Sequence, residues 1–156
     1  MNLRFAGAGL GGETSPIAGC APLTDLFAEL TFARGPAMKN RFMLAPLTNS
    51  QSHADGKLSD DEFHWLTWRA KGGFGLVMTC ASHVQRIGQG FPGQLGVFSD
   101  EHLPGLSRLA AAIRAEGSLS AVQLHHAGIR SPTELIGETP VGPSENAEFL
   151  FSGRAS

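Results

Sequence analysis

Three short, continuous apolar runs punctuate this chain: Phe42 to Ala45, the stretch GLVMTCAS at 75–82, and LSAVQL at 119–124. Runs of this length, bounded by breakers or polar residues, read as strands buried on both faces. Between them the period changes. Phe63, Leu66 and Ala70 recur at three- and four-residue spacing, as do Leu106, Leu109, Ala110 and Ile113, which marks the apolar face of a helix. The first helix opens on Ser59 with Glu62 three places on, a capping-box pattern, and Gly72-Gly73 stops it. The second opens on Asp100 and Glu101, tolerates Pro104 in its first turn, and ends at Gly117. The pattern predicts strands over 41–46, 75–81 and 119–124, and helices over 60–71 and 100–116.

Strand and helix alternating in this way demand a parallel sheet with right-handed crossovers, an α/β arrangement. Both helices on one side would make it part of a barrel, and helices on both faces a doubly wound sheet. The segments leaving the carboxyl ends of the strands are long and polar, the first running on from Pro46 through NSQSHADG. Ordinary connections take about four to six residues, and ligands of α/β proteins bind at the carboxyl ends of strands. These loops are therefore expected to wall a site. The inner face of the sheet is expected to carry Met43, Val77 and Val122.

Ahead of the first strand, Leu26, Phe27, Leu30 and Phe32 suggest a short packed lead-in, a plug or hairpin. Residues 1–21 read as a flexible extension, too broken by glycine and Glu13 for the apolar core of a signal peptide. Gly7, Gly9 and Gly12 satisfy G-x-G-x-x-G, but no strand precedes them and Pro16 and Pro22 stand where the helix should run. Without that context the motif does not indicate a dinucleotide site.

Composition narrows the field. The chain has 156 residues, 42% hydrophobic and 17% charged, with net charge -2, whereas a whole (β/α)8 barrel needs roughly 200 or more. No block of Lys and Arg points to nucleic acid or an anionic membrane surface, and no apolar stretch approaches the roughly 18 residues of a membrane span. Cys20 and Cys80 lie far apart and read as reduced thiols of a cytoplasmic protein. Tyrosine is absent, which removes a common proton donor. His125 and His126 are adjacent on a strand, so they point to opposite faces and do not make a metal pair. His53, His64, His83 and His102 are scattered, and Trp65 and Trp68 are expected to pack against neighbours.

The strand ends carry the candidate chemistry. Thr48 offers a hydroxyl and an N–H, Ala81 lets a planar ligand approach the backbone, and the Gln123 carboxamide donates and accepts at once. A flavin ring, whose pyrimidine edge alternates carbonyls and N–H groups, suits this set. No catalytic nucleophile or metal cluster competes, so a bound cofactor would carry the difficult chemistry.

The same residues carry a resemblance. The N-R-x-x-x-A-P-x-T block at Asn40 to Thr48 and the Q-L-x-H-x-G block at Gln123 to Gly128, with GGFGLVMTCAS and PVGPS in order, resemble the old yellow enzyme family of FMN-dependent oxidoreductases over residues 22–148. The resemblance implies the N-terminal portion of a (β/α)8 TIM barrel, with FMN at its carboxyl face and NAD(P)H as reductant of an activated alkene such as an enone. It implies cofactor contacts from Ala45, Pro46, Leu47, Thr48, Ala81 and Gln123, with Thr48 near flavin N5 and O4. Ser50 occupies a position where some members place a substrate-contacting tyrosine, and Gly128-Ile129-Arg130 replaces the usual G-R. No catalytic residue is assigned here, because the family's substrate-anchoring pair, flavin-contacting arginine and phosphate loop belong to later strands. Residues 149–156, FLFSGRAS, depart from the family and read as a truncated end. A second chain completing the barrel, or a non-catalytic fragment without flavin, are the alternatives.

Overall fold

The computed structural model describes residues 25–144. The expectations for 1–21 and 149–156, including the glycine motif, lie outside them. Three parallel strands form one sheet in chain order: β1 (Met43–Leu44), β2 (Leu76–His83) and β3 (Leu119–His125). Leu44 pairs with Val77, and Leu76 with Leu119. Between them run α1 (Asp60–Lys71) and α2 (Leu103–Ala115), and a short α3 (Thr133–Ile136) follows β3. β1 is shorter than the expected 41–46, because Pro46 has no N–H to continue the ladder. The start of the second helix, Asp100–His102, is a 3-10 turn that leads into α2.

Both helices lie on one face. Leu44 of β1, Val77 of β2, Leu66 and Ala70 of α1, and Leu109 and Ile113 of α2 form one buried cluster, with Leu58, Phe63, Trp65 and Phe74 packed around it. This is the one-sided arrangement of a barrel segment. Ser59 caps α1 by accepting the Glu62 N–H. Gly73, at φ 109°, then takes the left-handed turn back toward the sheet, a conformation that glycine adopts without penalty.

The amino end of the sheet is tied by polar side chains. Asn40 donates to the Gly73 carbonyl (2.6 Å) and accepts the Phe42 N–H (3.0 Å). Lys39 donates to the Glu116 carbonyl at the end of α2 (2.7 Å), where a cation complements the helix dipole. The lead-in is a hairpin closed by the reciprocal Leu30–Met38 pair. It is not well packed: Leu26, Phe27 and Phe32 are exposed, and the Phe27 ring lies tilted against Phe42 at 5.3 Å between centroids.

Two expectations about faces are corrected. Val77 points into the core beneath the helices, not to the inner face. Ser120 is the register partner of Val77, so Val122, two residues on, shares the helix face as well. It lies beyond the reach of α2 and stays 42% exposed. Met43 does lie on the inner face, opposite Leu76. Trp68 is also exposed instead of packed. Among the described residues no helix is long and apolar enough to cross a membrane.

Candidate functional site

The loops at the carboxyl end of the sheet are laced together by their backbones. Ser52 N–H donates to the Gly93 carbonyl (3.0 Å) and Gly96 N–H to the Gly56 carbonyl (2.8 Å), joining the loop after β1 to the loop after β2. Leu95 to Val97 then run beside the end of β2, bonded to His83 on both sides. Gly93 is required here: a Cβ would meet the Ser50 carbonyl at 2.4 Å. Ser50 itself has φ 52°, alone among the described non-glycine residues in being positive.

What the long first loop holds is a carboxylate. Glu62 is fully buried on α1 and does not reach back to its own helix start as a capping box would. It accepts the Asn49 amide (3.2 Å), the Ser52 hydroxyl and the Cys80 thiol (3.3 Å). A buried carboxylate is tolerable only when it is fully hydrogen-bonded in this way. The same burial, with Glu62 beside it, pushes the Cys80 thiol up to about 12, so it stays protonated and serves as a donor.

A second buried side chain organises the loop after β2. Gln94 accepts the Gly90 N–H (2.7 Å), and its amide donates to the Ala81 carbonyl (2.8 Å) and to Nδ1 of His125 (3.1 Å). His125 is thereby an Nε2–H tautomer. His126 turns elsewhere: its Nδ1 accepts the Gly128 N–H and its Nε2 meets the Gln85 side-chain oxygen at 3.0 Å. Among the described residues no group of three or more metal-ligating side chains is arranged around a common point.

His83 and His102 are both buried, flanking Phe98 at centroid distances of 4.9 and 4.5 Å. His83 Nε2 and both ring nitrogens of His102 have no hydrogen-bond partner. Burial holds both histidines below their usual 6.5.

Ala81 and Gln123 are register partners across β2 and β3, half-buried on the inner face. Ala45, Pro46, Leu47 and Thr48 leave the carboxyl end of β1, at the same end of the sheet, with Ala45, Leu47 and Thr48 exposed. Ser50 is exposed at the crest of that loop. The side chains of Thr48 and Gln123 have no hydrogen-bond partner among the described residues. Sequence reasoning missed Glu62 and Gln94 as organisers of the site. Glu62 read as a local cap, and a glutamine in a glycine-rich loop gives no signal of its own. A hollow of about 260 Å³ between Gln51, Asp61, His64, Trp65 and Trp68 lies on the flank of α1 and includes none of these positions.

The signature of the NADH:flavin oxidoreductase / NADH oxidase family matches residues 25–152. The chain belongs to that family. A probable NADH-dependent flavin oxidoreductase of Bacillus subtilis, YqiG, is 40% identical over 121 residues, 77% of this chain and 32% of the relative. An NADH:fumarate oxidoreductase of Klebsiella pneumoniae is 34% identical over 76% of this chain and 13% of its own length. Among solved structures, the old yellow enzyme homologue from Zymomonas mobilis superposes with TM-score 0.69 at 27% identity, covering 78% of this chain and 33% of that one. A morphinone reductase variant in complex with tetrahydroNAD gives TM-score 0.68 at 28% identity, covering 76% and 32%. The chain thus spans about a third or less of the relatives it matches. Its three strands and two covering helices are an open segment of the old yellow enzyme barrel.

Proposed function

We propose that this chain forms the ring-edge part of an FMN site in an oxidoreductase that uses NAD(P)H to reduce activated alkenes. The observation that carries the reading is the pairing of Ala81 with Gln123, at the end of the sheet where the Thr48 loop also emerges. The fit to a flavin is chemical. Ala81 would leave room for a flat ring, the Gln123 carboxamide could donate and accept at the pyrimidine edge, and the Thr48 hydroxyl would be the group near N5 and O4. Ala45, Pro46 and Leu47 would line the ring with backbone and apolar surface. FMN held by these residues would supply hydride transfer from a nicotinamide to the β-carbon of an electron-poor alkene. The relatives named for fumarate and acrylate reduction support that substrate class. Ser50, exposed in the same loop, would be the residue to touch such a substrate.

Among the described residues, those of this site would bind and orient the ring, and the proton that completes alkene reduction is assigned to none of them. Residues 25–144 act as the barrel segment. The intracellular site of action proposed from its two separate thiols is the cytoplasm, with neither nucleic acid nor membrane as partner. A second chain supplying the remaining strands would complete the barrel.

Ring contacts alone give weak binding that does not distinguish FMN from riboflavin. Quenching of flavin fluorescence by the purified 156-residue chain is expected to give equal affinities for the two, with no NAD(P)H-driven alkene reduction. No quenching by either flavin would instead favour the non-catalytic reading, in which the open sheet binds no flavin.

A further inference from the structure

The register of β2 against β3 slips between Met78 and Ala81. Met78 stands opposite Ala121, yet Ala81, not Cys80, stands opposite Gln123. β2 therefore contains one extra residue, a β-bulge, directly before the candidate flavin positions. Bulges next to sites re-aim side chains, and this one has two effects. It turns Cys80 to the helix face, where its thiol meets Glu62 (3.3 Å). It also puts the small Ala81 on the inner face beside Gln123.

A bulge breaks the ladder, and here a side chain repairs it. The Gln123 N–H donates to the hydroxyl oxygen of Thr79 (3.2 Å) where an unbroken ladder would offer a backbone carbonyl. Thr79 is 3% exposed. Its hydroxyl has one proton and two acceptor sites, and the proton goes to the Cys80 carbonyl (2.9 Å). That leaves its oxygen as acceptor for Gln123. Ser82, fully buried, donates to the same carbonyl (3.0 Å) and lies 3.2 Å from the Thr79 hydroxyl.

We propose that Thr79 is a positioning residue for the flavin-edge contact: its hydroxyl fixes the backbone of Gln123 at the bulge and so sets where the Gln123 carboxamide points. Thr79 makes no contact with the ring and acts through Gln123 alone. The inference rests on the flavin reading above. Valine matches threonine in shape but lacks the acceptor, whereas serine keeps it.

The test is titration of FMN into the full 156-residue chain, followed by fluorescence quenching, for the parent and for Gln123→Leu, Thr79→Val and Thr79→Ser. Amide hydrogen exchange at Gln123 is measured alongside on the flavin-free chains. Thr79→Val is expected to speed exchange at Gln123 and to weaken FMN binding about three- to tenfold, the worth of one misplaced hydrogen bond. Thr79→Ser is expected to restore both. If Gln123→Leu weakens FMN but Thr79→Val binds like the parent, the positioning role is wrong and the flavin reading stands. If the parent does not bind FMN, or Gln123→Leu binds as well as the parent, the flavin reading fails and this inference goes with it. A Thr79→Val chain that does not fold is distinguished by Thr79→Ser, which must then bind as the parent for the proposal to hold.

Discussion

The carboxylate of Glu62, buried on α1, accepts the hydroxyl of Ser52 from the loop after β1. That contact, with Asn49 and Cys80 on the other oxygen, is what fixes a loop too long and polar to pack by itself. Removing the carboxylate strands three donors, two of them from the loop. Glu62→Ala is expected to cost about 3 kcal/mol, in line with leaving buried donors unsatisfied. Glu62→Gln keeps one acceptor and is expected to cost about half as much. Urea midpoints measure both, and hydrogen exchange at Ser52 reports whether the loop detaches while the sheet stays folded. Equal exchange at Ser52 in parent and Glu62→Ala would show that the Gly93 backbone bond alone holds the loop.

Filling the inner face at Ala81 should exclude a flat ring without harming the fold, because Ala81 is half-buried on an open face. Ala81→Leu is expected to weaken flavin binding at least about tenfold, a steric penalty of ordinary size. Thr48→Ala, by removing a donor toward the reduced ring, is expected to lower the potential of bound flavin by about 10–30 mV. Spectroelectrochemical titration reads the second effect separately from affinity. A Thr48→Ala potential equal to that of the parent would remove Thr48 from the ring's surroundings.

Acid sensitivity follows from His83 and His102. Burial holds both below 6.5, so the unfolded chain takes up protons at a higher pH than the folded one. Stability is then complete above about pH 6.5 and declines as pH falls from there through the lower folded values. His83 faces His102, His125 and His126, and His102 faces Asp55, Glu101 and Lys57. Asp55 and Asp60, held below 3.8 by Lys57 and Arg108, lose their pairing only below about pH 4, which separates the two windows. Urea midpoints are expected to fall between pH 7 and pH 5, and His102→Leu should make that fall shallower. An unchanged slope in His102→Leu would assign the effect to His83 alone.

The strand–helix alternation was readable because each period is long enough to count. Leu66 and Ala70 on α1, and Leu109 and Ile113 on α2, lie where the three-four spacing puts them. The faces of the strands were less readable. A strand buried on both sides shows no alternation, so nothing in LVMTCAS says that Val77 faces the helices or that a bulge intervenes before Ala81. Polar organisers were least readable of all. Glu62 and Gln94 reach partners as far as 18 and 31 positions away, and only the fold brings those partners together. The old yellow enzyme motifs survived this loss because they mark the strand ends themselves.

Val122 and Leu124 share the helix face of β3 by register with Ser120 and Ser82, and Leu124 is 69% exposed. Neither β1 nor β3 has a second strand partner among the described residues, so an apolar side and an open edge coincide at β3. An exposed edge of this kind templates pairing with another chain. Leu124→Lys places a charge there and removes no buried contact, so its effect on the urea midpoint should be within about 0.5 kcal/mol. Its effect on solubility should be large. Light scattering of the parent chain is expected to rise with concentration and that of Leu124→Lys to stay flat. Met43, 47% exposed on the opposite face beside β1, supplies the control. If Met43→Lys suppresses association and Leu124→Lys does not, contact runs through the inner face, and the β3 edge is not the sticky surface.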